Sequence, residues 1–255
     1  MSQSVNRFNS RVQTYAKYRP GYPAEIVDLL TRECGLTPES IVADVGSGTG
    51  KLTELFLANG NIVFGVEPNG PMREVAENLF KDQPNFRSID GSAEYTTLPG
   101  ASVDVISAGQ AFHWFDPPKT RDEWVRIMKP SGWAVLIWNE RELQTTPFLN
   151  DYEQLMLEFG TDYKEVRHEN AEAAIEGFFA PDDFFLRSFP NTQVFDYDGL
   201  NGRVRSSSYT PEPDHPNFDP MMRQLKTIFD KHQENGYVNF DYETRVFYGH
   251  LSTTS

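Results

Sequence analysis

From Ile26 onward the apolar positions alternate between short continuous runs and helical stripes, the βα rhythm of a parallel sheet covered on both faces. Residues 41–45 read as a buried strand, Leu52, Leu55, Phe56 and Leu57 as the apolar face of the helix after it, and 62–66 as the next strand. Pro71 opens a helix through Met72, Val75, Ala76 and Leu79, at a position where proline's missing N–H costs little. Segments 86–89, 103–107 and 133–138 supply three more strands. Pro117 and Pro118 start the helix between the last two, and Pro130 with Gly132 is expected to end it.

After Glu140 the rhythm changes. A long acid-rich stretch separates the fifth strand from 184–195 and reads as inserted helices. A helix near 221–232 then precedes an aromatic strand, 244–250, whose pattern is expected to alternate Tyr242, Arg245, Phe247 and His250. Late strands split by helices predict an antiparallel edge, and the Pro-rich, acidic 210–220 reads as a surface connection. The fold expected is α/β: a doubly wound, mostly parallel, seven-stranded Rossmann-like sheet with an antiparallel edge strand and a helical cap.

At 255 residues the chain is one large domain or a core with a cap, by a prior of roughly 150 residues per domain. Its net charge of −14 repels phosphate backbones and anionic membrane surfaces, so nucleic-acid and membrane partners are not expected. Up to Glu140 the chain carries 13 basic and 17 acidic residues, and beyond it 10 and 20, so the acidity sits mainly in the C-terminal part. The single cysteine, Cys34, permits no intrachain disulfide, and no CxxC or His/Cys cluster suggests a metal site; a reducing, cytoplasmic setting fits. The longest strongly apolar run, 133–138, is far short of the roughly twenty residues of a membrane span. Residues 1–20 hold Arg7, Arg11, Lys17 and Arg19 and no acid, a composition that transit peptides share.

The sharpest motif is Val42-Ala43-Asp44-Val45-Gly46-Ser47-Gly48-Thr49-Gly50, an acid in a strand running into alternating glycines at a helix start. Glycines there permit a turn and let backbone N–H groups approach a ligand. A Walker A loop fails, because Val45 stands where its first glycine belongs and Leu52 replaces the magnesium-binding Ser/Thr. A dinucleotide loop is weakened by Lys51 at its third small position. A nicotinamide-dependent reductase and a non-catalytic cofactor-binding protein stay open on the loop alone.

The loop also resembles the acidic-x-Gly-x-Gly-x-Gly loop of class I S-adenosylmethionine-dependent methyltransferases, with every position filled. The resemblance continues in Glu67-Pro68-Asn69, Gly91-Ser92-Ala93-Glu94 and Gln110-Ala111-Phe112-His113-Trp114-Phe115. Together with Tyr15-Ala16-Lys17-Tyr18-Arg19-Pro20-Gly21-Tyr22-Pro23, the last of these is similar to the small-molecule group that includes trans-aconitate methyltransferases. The likeness implies S-adenosylmethionine as cofactor, S-adenosylhomocysteine as product, and no metal. It further implies a lid (1–25), a cofactor-binding core (26–140), an inserted helical cap (141–183), and C-terminal strands and helices (184–255) completing the sheet and substrate pocket.

Carried onto this chain, the cofactor residues are Tyr15, Arg19, Asp44, Gly46, Ser47, Gly48, Gly50, Glu67, Pro68, Asn69, Met72, Ser92, Ala93, Glu94 and Gln110. Glu67 is the expected bidentate acceptor for the ribose hydroxyls, and Asp44 orients the loop and the methionine ammonium. Ser92 stands where the family often has Asp for the adenine amino group. Tyr18, His113, Trp114, Phe115, Arg203, Arg205 and Tyr209 are the substrate-binding candidates. A carboxylate acceptor needs orienting arginines and no base; a phenol or quinone-precursor ring needs a base, and His113 is the catalytic candidate. The partner expected is a small molecule, and the chain a monomer or homodimer.

Overall fold

A computed structural model describes residues 18–161, 163 and 171–252. The chain forms two compact units, each assembled from three segments.

The first, the sheet unit, takes 21–139, 170–189 and 244–255. Its opening helix α1 (Glu25–Cys34) buries Ile26, Leu29 and Leu30 and ends on Gly35 at φ 68, a left-handed cap whose N–H bonds the Leu30 carbonyl. There follow β1 (Ile41–Val45), α2 (Lys51–Ala58), β2 (Ile62–Val66), α3 (Gly70–Leu79), β3 (Phe86–Ile89), β4 (Val103–Gly109), α4 (Pro117–Ile127) and β5 (Met128–Arg141). Side-chain caps fix two of the helix starts: Asn69 accepts from the Met72 N–H before α3, and Asp116 from the Lys119 N–H before α4, each followed by proline in the first turn.

The seven-stranded sheet has the order β3-β2-β1-β4-β5-β7-β6, with β6 at Phe184–Phe195 and β7 at Val238–Gly249. The first five strands pair in parallel. On β7 the direction reverses: Thr244 bonds Asn139 and His250 the Gly132 carbonyl, so residue numbers rise on one strand as they fall on the other. The Rossmann-like sheet with an antiparallel edge therefore stands as expected.

Burial follows the two-residue period of the strands. Ala43, Val45, Ile106, Ala108, Ala134, Leu136 and Trp138 join one core, where Trp124 of α4 meets Ile175 and Phe178 of α6 (Ala171–Phe179). Val42, Val63, Val105, Val135 and Ile137 join the other, with Ile26, Leu30, Phe56 and Ala76 from α1, α2 and α3. Both faces are covered, which is why these strands read as continuous apolar runs.

Two expectations change. Pro130 and Gly132 lie inside β5, not at a helix end. Val103 pairs with Met128 and Val105 with Trp133, so 129–132 stand opposite Asp104 alone and Pro130 owes no ladder hydrogen bond there. The last strand begins at Val238, and its alternating buried positions are Val238, Phe240, Tyr242, Thr244 and Val246. The expected phase failed because the aromatics of this strand occupy both faces.

The second unit, described over 18–20, 140–161, 163 and 190–243, contains α5 (Pro147–Phe159), α7 (Tyr197–Arg205), α8 (Phe218–His232) and the adjoining ends of β5, β6 and β7. Its separate core gathers Phe148, Tyr152 and Leu155 with Leu200, Leu225 and Phe240.

Trp124 is fully buried and meets Phe178 edge to face at 5.3 Å. Trp124→Ala is expected to cost about 3–5 kcal/mol, read from the urea midpoint of the far-ultraviolet transition.

Candidate functional site

The site assembles where β1 and β2 end. Gly46, Gly48 and Gly50 have φ of 68, 57 and 89, all in the left-handed region. Space adds a second demand at two of them. A Cβ on Gly46 would lie 2.6 Å from the Ala111 Cβ, and one on Gly50 2.3 Å from the Phe80 ring. At Gly48 the added atom would meet nothing nearer than the Met72 sulfur at 3.9 Å. The loop is packed behind its first and third glycines and open at its second.

The amides of Gly46, Ser47 and Gly48 are already spent within the protein, where the sequence reading has N–H groups of the loop approaching a ligand. The Gly46 and Ser47 N–H groups both donate to the Val66 carbonyl (2.8 and 3.2 Å), and that of Gly48 donates to Glu67 Oε2 (2.9 Å). Glu67 Oε1 accepts from the Asn69 N–H (2.8 Å), and Arg73 donates to the Glu67 carbonyl (2.7 Å). Burial raises the Glu67 pKa, and the two N–H groups and Arg73 offset part of that rise. Each carboxylate oxygen keeps a lone pair beyond the one used.

Asp44 has no solvent exposure. Its carboxyl accepts from the Thr53 hydroxyl (2.6 Å) and the Ser107 hydroxyl (3.4 Å), tying α2 and β4 to β1. Burial pushes its pKa up to about 7, against the opposing pull of those hydroxyls. It orders the loop's flanks from behind.

Around the loop, Pro68 is exposed, while Asn69 and Met72 are buried. Ser92 and Tyr95 exchange backbone hydrogen bonds (3.0 and 3.3 Å), Ala93 is buried, and Glu94 accepts from the Asp116 N–H (3.0 Å). Gln110 takes φ 55 and donates its amide to the Asn139 carbonyl (3.1 Å). In the short 3₁₀ turn Phe112–Trp114, His113 and Trp114 are exposed with rings 4.5 Å apart. Phe115 packs by its ring edge on Gly46. Tyr22 lies over Gly109 at the end of β4, where a Cβ would strike its hydroxyl at 2.3 Å.

In the second unit, Arg19 donates to the Ser206 carbonyl (3.1 Å) and the Tyr18 ring lies against Gly202. Arg203 is buried, whereas Arg205 is exposed over the Phe218 ring at 5.8 Å. They do not share a face, because two residues on α7 are turned about 200° apart and not aligned as on a strand. Tyr15 lies outside the described residues.

The sequence reading missed Thr53, Ser107, Phe80 and Tyr22. Thr53 carried a signal, a polar residue three and four positions before Phe56 and Leu57 on the same apolar stripe. Phe80 carried none, since its contact with Gly50 depends on how α3 returns.

Residues 43–136 match the family described as the methyltransferase domain. The match covers well under half of the chain. The chain is similar to an uncharacterized methyltransferase of Schizosaccharomyces pombe, 33% identical over 150 residues that make up 58% of each chain. The match thus spans little more than half the length of that relative. In fold, the chain is similar to a candidate type II methyltransferase from Anaeromyxobacter dehalogenans, with a TM-score of 0.64, 17% identity, and coverage of 92% of this chain and 98% of that one. It is also similar to a SAM-dependent methyltransferase from Aquifex aeolicus, with a TM-score of 0.51, 18% identity, and coverage of 74% and 92%. Within 43–136, Asp44 and Glu67 are the buried acids flanking the glycine loop. Among the described residues no group of three or more His, Cys, Asp or Glu could hold a metal, and no helix is long and apolar enough to cross a membrane.

The raised Asp44 pKa sets a sign for stability. An acid whose folded pKa lies above its unfolded value stabilises fully below the unfolded value, near pH 4, and loses that contribution as pH rises through about 7. Asp44→Asn removes the loss. Its stability relative to wild type is expected to climb by up to about 4 kcal/mol between pH 4 and pH 8, measured by denaturant unfolding across that range.

Proposed function

We propose that this chain transfers a methyl group from S-adenosylmethionine to a small-molecule acceptor, releasing S-adenosylhomocysteine. The observation that carries the reading is the Glu67 bridge, a buried carboxylate holding the open second glycine of a loop within the segment that matches the methyltransferase domain. The residues present fit the cofactor. Gly48 leaves room where a side chain would intrude, the Glu67 oxygens retain acceptor capacity for two ribose hydroxyls, and the Thr49 hydroxyl is buried without a partner among the described residues.

In this reading Gly46, Ser47, Gly48 and Gly50 cradle the cofactor. Ser92, Ala93 and Glu94 border its base, and Gln110 stands at the carboxyl end of β4, where ligands of open α/β sheets bind. Tyr15 and Arg19, of the stretch 1–25, are further proposed cofactor residues, with 26–140 as the cofactor-binding core. When bound, the cofactor supplies a methyl group on a sulfonium. The chain's own work is positioning and exclusion of water. For the acceptor we favour a carboxylate of an organic acid, of the kind the trans-aconitate group suggests. It is ionised at neutral pH and is oriented by arginine, with Tyr18, Arg203, Arg205 and Tyr209 as candidates. A phenolic ring is the second reading, favoured by the exposed His113–Trp114 pair next to Phe115: His113 would take the proton and the two aromatics would stack the ring. The setting is a cytoplasmic monomer or homodimer.

Isothermal titration calorimetry is expected to give micromolar binding of S-adenosylmethionine. Gly48→Arg fills the open position and abolishes it; Glu67→Gln weakens it by roughly tenfold or more, the worth of a charged hydrogen bond. Absence of binding by the wild type overturns the proposal, and binding of NADH in its place favours the reductase.

A further inference from the structure

The second unit buries more positive charge than its acids balance. Arg203 in the last turn of α7 is 4% exposed, and its partners are neutral. Its Nε donates to the Tyr242 hydroxyl (3.1 Å), its Nη1 to the Ser207 hydroxyl (3.0 Å), and its guanidinium carbon lies 5.3 Å from the Phe240 ring centre. Among the described residues no carboxylate pairs with it. Arg141, at the end of β5, spends Nη2 on Glu153 and the Tyr163 hydroxyl. Its guanidinium lies 5.0 Å from the Tyr152 ring centre and 6.0 Å from that of Phe240. Its side chain is 9% exposed. The Arg141 Nη1 and the Tyr152 hydroxyl are buried and have no hydrogen-bond partner among the described residues.

Both guanidiniums therefore gather at the Phe240 ring, with unused donors beside them. The Tyr209 phenol registers the result. Burial raises its pKa, but Arg203, Arg19 and Arg141, with a hydrogen bond from Ser207, outweigh burial and hold it below the ordinary phenol value. A buried guanidinium without a counter-charge costs several kcal/mol, so the arrangement calls for an anion.

The chemistry selects among anions. A guanidinium presents a planar fork that matches a carboxylate, and the surrounding rings of Tyr152, Phe240 and Tyr242 suit a carbon skeleton better than a hydrated inorganic ion. The same fork also binds phosphate, though many phosphate sites add a helix N-terminus. Arg203 sits instead at the C-terminal, negative end of α7.

We propose that Arg141 and Arg203 form a binding site for a carboxylate of a small organic acid, with Tyr152, Tyr209 and Tyr242 lining it. The assignment deepens the carboxylate-acceptor reading, in which Arg203 and Tyr209 already figure, by adding Arg141; its test uses no cofactor, so it can fail separately from methyl transfer. Citrate is expected to raise the melting temperature of the full chain by a few degrees, while trimethyl citrate and chloride at equal ionic strength do not. Arg203→Met, close in volume, abolishes the citrate response, and Arg141→Met weakens citrate binding by about tenfold or more. A wild-type measurement covers the case of a variant that fails to fold: in the near-ultraviolet titration of tyrosine, citrate moves the earliest-ionising phenol upward by about one pH unit, because a bound anion offsets the arginines. No citrate effect beyond chloride overturns the proposal. So does an undiminished response in Arg203→Met, or a response to inorganic phosphate alone.

Discussion

The carboxylate of Glu67 is the contact on which the geometry of the glycine-loop segment turns. One oxygen takes the N–H of Gly48 and the other the N–H of Asn69, so a single side chain at the end of β2 fixes both the glycine loop after β1 and the cap of α3. Carboxylates usually face water; this one is 7% exposed and is kept in place by directed donors. With the amides of 46–48 already donated inward, protein contacts hold the loop at each of these positions. Preorganisation of that kind means a ligand spends little of its binding energy ordering the backbone.

Much of this was legible in the sequence because it is local. The strand, acid, glycines and helix of 41–58 are contiguous, and left-handed φ at three positions is a demand that residue type alone announces. The parallel strands were readable for the same reason that they are buried on both faces, since continuous apolar runs leave little ambiguity. What escaped depends on contacts distant in sequence. The turn-out of 129–132 follows from the register of β5 on β4, and the chain's Pro and Gly there mimic a helix stop. Arg141 drew no attention because nothing around it in the sequence marks it as buried; its partners are Glu153 and Tyr163, and its charge is set beside that of Arg203, far along the chain.

Charge behaves differently in the two units. In the sheet unit, burial opposes ionisation of Asp44 and Glu67, and hydroxyls or amides offset part of the cost. In the second unit, within the more acidic part of the chain, the buried ions are cations and the acids lie mostly outside. Net charge therefore predicts the surface of this protein and misleads about its interior. A composition of −14 conceals guanidiniums at 4% and 9% exposure.

The strand order carries a consequence for synthesis. β7 lies between β5 and β6, yet among the described strands it is made after both. A nascent chain can close β1 to β5 early, but β6 leaves the ribosome with its sole neighbour in the sheet still untranslated. Phe185, Leu186 and Val194 of that strand are exposed even in the finished fold. Until residues 238–249 arrive, they sit on an unpaired strand with both edges open. Loss of 238–249 would thus leave β6 as an adhesive strand, so β7 shields that edge as well as extending the sheet.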